Sequence, residues 1–104
     1  MYAGLRMSRF IPRSSNVDLA CKQSILIGQA ARLAMLCAEW WEFAEGMSAI
    51  ILALVNQGYI VDDCFRRLTH WLRQRPDVYY GMGCRVVTVM QAVTSSVRAG
   101  LSSR

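Results

Sequence analysis

Two adjacent lines of apolar residues between Asn16 and Gly46 constrain the fold more than any other feature of the sequence. In each line the residues follow one another at steps of mostly four and three, which places their side chains on one face of an α-helix. A helix that is apolar on two adjacent faces must be buried on most sides. The pattern predicts one long helix with Asn16 as its N-cap and Gly46 at its end. The two lines are Leu26, Ala30, Leu33, Cys37, Trp40 and Ala44, and Ala20, Ser24, Ile27, Ala31, Ala34, Ala38 and Trp41.

Two further helices are predicted after Gly46. The uncharged stretch 48–58 begins at a possible N-cap, Ser48, and ends at Gly58, although a β-strand is the alternative for its apolar centre. Residues 62–75 alternate apolar and basic side chains at helical spacing, with a pair of aspartates at their start and a proline directly after them. Both stretches are short enough to pack against the long helix.

The apolar spacing in the C-terminal part of the chain predicts a last helix, which completes the domain. Apolar residues recur at helical spacing from Met82 to Val97. The predicted fold class is therefore all-α, a small helical bundle of three to four helices around a long first helix. The predicted division of the chain is a flexible basic N-terminal segment at 1–15, a single helical domain at 16–100, and a short C-terminal tail at 101–104. Whether the long helix is kinked at Gly28 stays open.

The apolar content predicts an interface. Of the 104 residues, 54% are hydrophobic and only 18% are charged, and a domain of this size cannot hide so much apolar surface. A homodimer is the expected consequence. The longest uncharged run, 46–61, is shorter than the ~20 apolar residues of a membrane span. The N-terminus also lacks the apolar core of a signal peptide. We therefore expect a soluble, cytoplasmic protein.

Catalysis and metal binding are not indicated. The four cysteines, Cys21, Cys37, Cys64 and Cys84, form no C-x-x-C pair, and the single histidine, His70, has no carboxylate three or four residues away. No glycine-rich phosphate loop is present. We expect reduced, mostly buried cysteines, no cofactor, no metal and no enzymatic activity.

DNA binding is the alternative function. Residues 53–74 follow the order helix, glycine-containing turn and basic helix, as in a small helix-turn-helix protein. The basic side chains that would contact DNA are Arg66, Arg67, His70 and Arg73. Asp62 and Asp63 would stand at the start of this recognition helix, where they would repel phosphate. Direct nucleic acid binding is therefore the weaker hypothesis.

Aromatic residues and methionines favour a protein interface instead. Adjacent tryptophans point about 100° apart on a helix, so we expect one of Trp40 and Trp41 in the core and the other at an interface. Tryptophan, tyrosine and methionine are enriched in interface centres. The predicted interface residues are Met35, Trp40, Trp41, Phe43, Tyr79, Tyr80 and Met82.

The length, the all-helical pattern and the aromatic segment Ala38-Glu39-Trp40-Trp41-Glu42-Phe43 carry a family resemblance. In these features the chain resembles the QslA-like small anti-activators of LuxR-type quorum-sensing regulators. The resemblance implies an inhibitor that binds the ligand-binding domain of a transcription regulator and blocks its dimerisation and DNA binding. It also implies that the inhibitor acts as a dimer. No functional residue is transferred from the family to this chain.

Overall fold

The computed structural model describes residues 25–103, and all of their regular structure is helical. The described residues contain no strand, so the prediction of an all-α fold is confirmed. The predicted N-cap Asn16, the segment 1–15 and Cys21 lie outside the described residues. The helices are α1 (25–36), α2 (Trp40–Asn56), α3 (Val61–Arg73), α4 (Pro76–Gly81) and α5 (Val86–Ser102).

The prediction of one helix continuing to Gly46 is wrong. The helix ends at residue 36, residues 37–39 form a turn, and α2 starts at Trp40. Gly46 lies inside α2, and Ser48 is a buried interior residue whose hydroxyl donates a hydrogen bond to the carbonyl of Ala44 at 2.7 Å. The apolar spacing did not indicate this break because it continues unchanged from α1 into α2.

A side-chain cap explains why α2 begins where it does. Glu39, the N-cap residue, has an extended backbone (φ −118°, ψ 144°), which turns the chain out of helical geometry. Oε1 of Glu42 accepts hydrogen bonds from the backbone N–H groups of Ala38 and Glu39, each at 3.3 Å. This is the reciprocal half of a capping box, in which the third helical residue reaches back to the cap. A new helix N-terminus is thereby stabilised within an apolar stretch.

Gly46 serves close packing of α1 on α2. A Cβ atom at this position would overlap the side chain of Leu33 on α1. Gly28 is different, because α1 continues through it and a Cβ there would meet nothing within 4 Å. One glycine therefore lets two helices approach closely, whereas the other only weakens its own helix.

Replacing each of these glycines by alanine is expected to have opposite effects. Gly28→Ala should raise the free energy of unfolding by about 0.5–1 kcal/mol, the propensity difference between the two residues in a helix. Gly46→Ala gains the same term but must displace Leu33, and overpacking of this kind costs about 1–3 kcal/mol. Urea denaturation of the two variants tests this. A Gly46→Ala protein as stable as Gly28→Ala would contradict the close approach.

Two glycines end helices in the left-handed conformation. Gly58 (φ +106°) follows α2, and the N–H of Tyr59 bonds to the carbonyl of Leu54 at 3.2 Å. Gly83 (φ +75°) follows α4, and the N–H of Cys84 bonds to the carbonyl of Tyr79 at 2.9 Å. Both are Schellman-type ends, which favour glycine because only it adopts positive φ without steric cost. The predicted end at Gly58 is confirmed.

The remaining boundaries differ from the predicted ones by a few residues. The N-cap of α3 is Ile60, so Asp62 and Asp63 lie in its first turn, where their charges complement the helix dipole. The short helix α4 was not predicted. Met82 is the C-cap of α4, and α5 starts only at Val86. Because α5 continues to Ser102, the tail predicted to begin at residue 101 begins later.

The core lies where α2 and α5 pack along each other, which is the most extensive contact between these helices. The two helices approach closely at Gly100, where an added Cβ would lie 2.7 Å from Cδ1 of Leu52. α3 and α1 close the other sides. No helix among residues 25–103 is long and apolar enough to cross a bilayer. The largest fully buried side chains are Leu26, Phe43, Met47, Ile51, Leu68, Leu72, Val89, Val93 and Val97.

Candidate interaction surface

The turn at residues 37–39 collects three large apolar side chains on the surface. Met35 and Leu36 end α1 with 87% and 80% of their surface exposed, and Trp41 in the first turn of α2 is 51% exposed. We call these three residues, together with Glu39, Glu42 and Glu45, the α1–α2 corner. A local group of exposed large apolar residues is the typical mark of a binding surface.

The structure distinguishes the two tryptophans. Trp40 is partly buried and packs against the core, whereas Trp41 projects from the corner. Their ring centroids lie 6.0 Å apart at an interplanar angle of 83°, an edge-to-face pair. The partly buried ring of Trp40 therefore contacts the exposed indole of Trp41 and restricts its orientation. This is the division expected for adjacent helical residues, with Trp40 on the core side.

The rim of the corner is acidic. Glu39, Glu42 and Glu45 are exposed, and none of them pairs with a basic side chain within residues 25–103. The sequence explains this, because residues 33–65 contain five acidic residues and no lysine, arginine or histidine. The corner thus combines an apolar centre with three carboxylates.

Two of the predicted interface residues belong to the core. Phe43 is completely buried, and Met82 is only 7% exposed. Both side chains pack into the core, Met82 also lines a groove beside α4, and their contact with a partner stays a prediction. Phe43 lies three residues after Trp40 and so shares its inward face. Met82 follows α4 at the point where the chain turns back towards the core.

The predicted tyrosines lie on α4. Tyr79 is partly buried and Tyr80 is 67% exposed, with ring centroids 4.7 Å apart. Beside α4 a shallow groove of about 500 Å³ separates it from α1 and brings Met35 and Met82 to the same depression. Its residues are Ala31, Ala34, Met35, Cys37, Ala38, Arg75, Asp77, Val78, Gly81 and Met82.

An ion pair closes one end of this groove. The Arg75 guanidinium donates hydrogen bonds to both carboxylate oxygens of Asp77, at 3.1 and 3.0 Å, and lies 5.5 Å from the centre of the Trp71 ring. The hydrogen bond from Arg75 lowers the pKa of Asp77. Because both side chains are exposed to solvent, the pair contributes little to the stability of the fold.

The basic side chains predicted for DNA contact share the exposed surface of α3. Arg66, Arg67, His70 and Arg73 are all exposed. Near the start of α3, Asp63 pairs with Arg66, and Asp62 lies 3.5 Å from Arg98 of α5. These aspartates reduce the positive potential at the end that would meet DNA phosphates. At the other end, Arg73 makes no ion pair within the described residues.

The described cysteines are unsuited to nucleophilic chemistry. Cys37, Cys64 and Cys84 are free thiols, and burial raises the pKa of each. The charge of Glu42 adds to the effect at Cys37, and that of Asp63 at Cys64. A raised pKa lowers the thiolate fraction and therefore the reactivity. Residues 25–103 contain no cluster of three histidine, cysteine or acidic side chains with metal-site geometry.

A groove between α3 and α5 was not predicted from the sequence. It has a volume of about 390 Å³ and joins the Arg73 end of α3 to the N-terminal half of α5. Val86, Val87 and Met90 supply its apolar floor, and Val87 is 59% exposed. The apolar spacing along α5 pointed to a single buried face, so it gave no sign of a second one. The polar lining residues are Thr69, Arg73, Gln91, Thr94 and Ser95.

Comparison with known proteins gives no family assignment. No protein-family model matches the chain, and no curated protein or solved structure matches it significantly. The fold and the surfaces described above therefore carry the functional argument.

Proposed function

We propose that this protein is a protein-interaction module that acts as an inhibitor, or anti-activator, of a transcription regulator. The observation that supports it is the α1–α2 corner, where Met35, Leu36 and Trp41 are exposed together. Exposing three large apolar side chains at one turn costs solubility, and burial against a partner recovers about 25 cal/mol per Å² of apolar surface. Trp41 contacts the ring of Trp40, and tryptophan is among the residues most enriched at interface hot spots.

The resemblance to anti-activators of LuxR-type regulators supplies the class of partner. In this proposal the corner binds the regulator's ligand-binding domain and blocks its dimerisation and hence its DNA binding. In this proposal the chain is cytoplasmic, forms a homodimer when no other partner is bound, and neither catalyses a reaction nor contacts DNA itself. The acidic rim contributes to this role, because carboxylates favour a partner with basic residues around an apolar centre and disfavour nucleic acid.

Affinity capture from cell lysate, followed by mass spectrometry, tests the proposal with Trp41→Ala and Ile60→Ala as a matched pair. Both residues are about half exposed, but Ile60 lies outside the corner. We expect a transcription regulator to be enriched on the wild-type protein and on Ile60→Ala, and at least tenfold less on Trp41→Ala, because interface anchors contribute about 2 kcal/mol or more.

The captured regulator then decides the mechanism. Adding the purified inhibitor should convert the regulator from dimer to monomer and release its operator DNA. Recovery of the regulator on Trp41→Ala at the wild-type level would refute the corner as the binding surface. Sequence-specific binding of duplex DNA by the inhibitor alone, lost in Arg67→Ala or Arg73→Ala, would favour the helix-turn-helix alternative.

A further inference from the structure

The charges of this chain are segregated although the folded part is balanced overall. Residues 33–65 carry five acidic residues and no basic ones, whereas residues 66–104 carry seven arginines and one aspartate. In space the unpaired acids lie at the α1–α2 corner. Arg73, which makes no ion pair within the described residues, lies at the C-terminal end of α3 and lines the α3–α5 groove. Such a distribution gives one molecule two surfaces of opposite sign.

Each of these two surfaces also has an apolar centre. At the corner the centre is Trp41 with Met35 and Leu36 beside it. In the α3–α5 groove it is Val86, Val87 and Met90. The groove volume of about 390 Å³ lies in the range that holds a small ligand and has room for one indole ring. The two surfaces therefore complement each other in charge and in apolar character.

We propose that the α1–α2 corner of one copy of this protein docks into the α3–α5 groove of a second copy. Trp41 enters the groove over Val87 and Met90, and Arg73 at the groove edge meets the carboxylates of Glu42 and Glu45. This inference rests on the proposed function in one respect, because it names what covers the corner when no other partner is bound. Self-association and regulator binding then compete for the same side chains.

The contact joins two different surfaces, so the size of the assembly depends on whether two copies can make the contact in both directions at once. If two copies make the contact reciprocally, the result is a closed dimer, and if they do not, head-to-tail addition continues. In both cases every copy uses one corner and one groove. This property allows the contact itself to be tested independently of the final symmetry.

Sedimentation velocity of the full chain between about 10 and 200 µM measures the association, since this range brackets micromolar dissociation constants. We expect species above the single-chain mass, weakened when salt is raised from about 50 to 500 mM because exposed charges are screened. Trp41→Ala and Arg73→Glu should each weaken association at least tenfold. The controls are Ile60→Ala and Arg66→Glu, which replace an exposed apolar residue and an exposed arginine outside both surfaces. Both control variants should associate nearly as strongly as the wild type.

Mixing the two defective variants is the decisive measurement. Arg73→Glu keeps an intact corner and Trp41→Ala keeps an intact groove, so the mixture should form a species of twice the chain mass that neither variant forms alone. Circular dichroism should give the wild-type helix content for both variants, because the replaced side chains are exposed.

Three results would overturn this inference: a wild-type protein at single-chain mass throughout the range, association that both variants leave unchanged, or a mixture no different from its components. These measurements contain no regulator. A failed self-association would remove this contact and the homodimer, but it would leave the proposed binding of a regulator standing. A failed regulator capture would leave this contact standing.

Discussion

Phe43→Ala is expected to lower the free energy of unfolding by about 3–5 kcal/mol, the range for removing a fully buried aromatic side chain. Phe43 is the largest of the side chains with no exposed surface, and it lies in the first turn of α2, directly after the turn at 37–39. The loss combines the transfer of an aromatic ring to water with the cavity left between the helices. Because a domain of this size has about 5–15 kcal/mol of stability, the variant should lose between about a fifth and nearly all of it.

Trp41→Ala is the matched control for this experiment. The two residues are neighbours in the same helix turn, but about half of Trp41 is exposed and its removal opens no enclosed cavity. We expect a loss below about 1 kcal/mol, typical of surface positions. Guanidinium denaturation of both variants measures the difference. Similar losses from the two replacements would contradict the placement of Phe43 inside the core and Trp41 outside it.

Leu72→Ala should cost about 2–5 kcal/mol, whereas Leu36→Ala should change the stability by less than about 0.5 kcal/mol. The chemical change is identical at the two positions. Leu72 is fully buried at the C-terminal end of α3, and Leu36 is 80% exposed at the corner. The cost at Leu72 includes the cavity it leaves behind, which water-exposed Leu36 does not have.

Thermal unfolding followed by circular dichroism gives this comparison, with the shift in midpoint serving as the measure of stability. A domain of about this size shifts by roughly 4–8 °C for each 1 kcal/mol. The Leu36→Ala curve should overlay the wild type. A large shift for Leu36→Ala would mean that the corner is packed against the rest of the chain, and it would remove the main support for the proposed function.

The helical content of this chain could be predicted from spacing alone, but the end of α1 and the start of α2 could not. Leu33, Cys37, Trp40 and Ala44 are four, three and four residues apart, as in an unbroken helix. The break at residues 37–39 contains no glycine or proline, the residues that usually mark the end of a helix. It depends on Glu42 folding back onto backbone N–H groups, and glutamate at the N-cap position is not among the preferred residues.

Glycine was misleading for a related reason. A glycine after an apolar run usually marks a helix end, and at Gly58 it does. At Gly46 the residue is selected by contact with Leu33 on another helix, which no local pattern reveals. Of the predicted interface residues, Met35, Trp41 and Tyr80 are exposed, whereas Phe43 and Met82 required three-dimensional packing to be assigned to the core.

The pairing of α2 with α5 has a consequence during synthesis. Leu52 meets Gly100, 48 residues later in the chain, so the apolar face of α2 stays uncovered until those residues have been added. At about 5–20 residues per second, translation leaves this face open for roughly 2–10 s, far longer than helices need to form. A nascent chain in this interval exposes Ile51, Leu54 and Val55 to solvent, and chaperones that bind short apolar segments would find their target there.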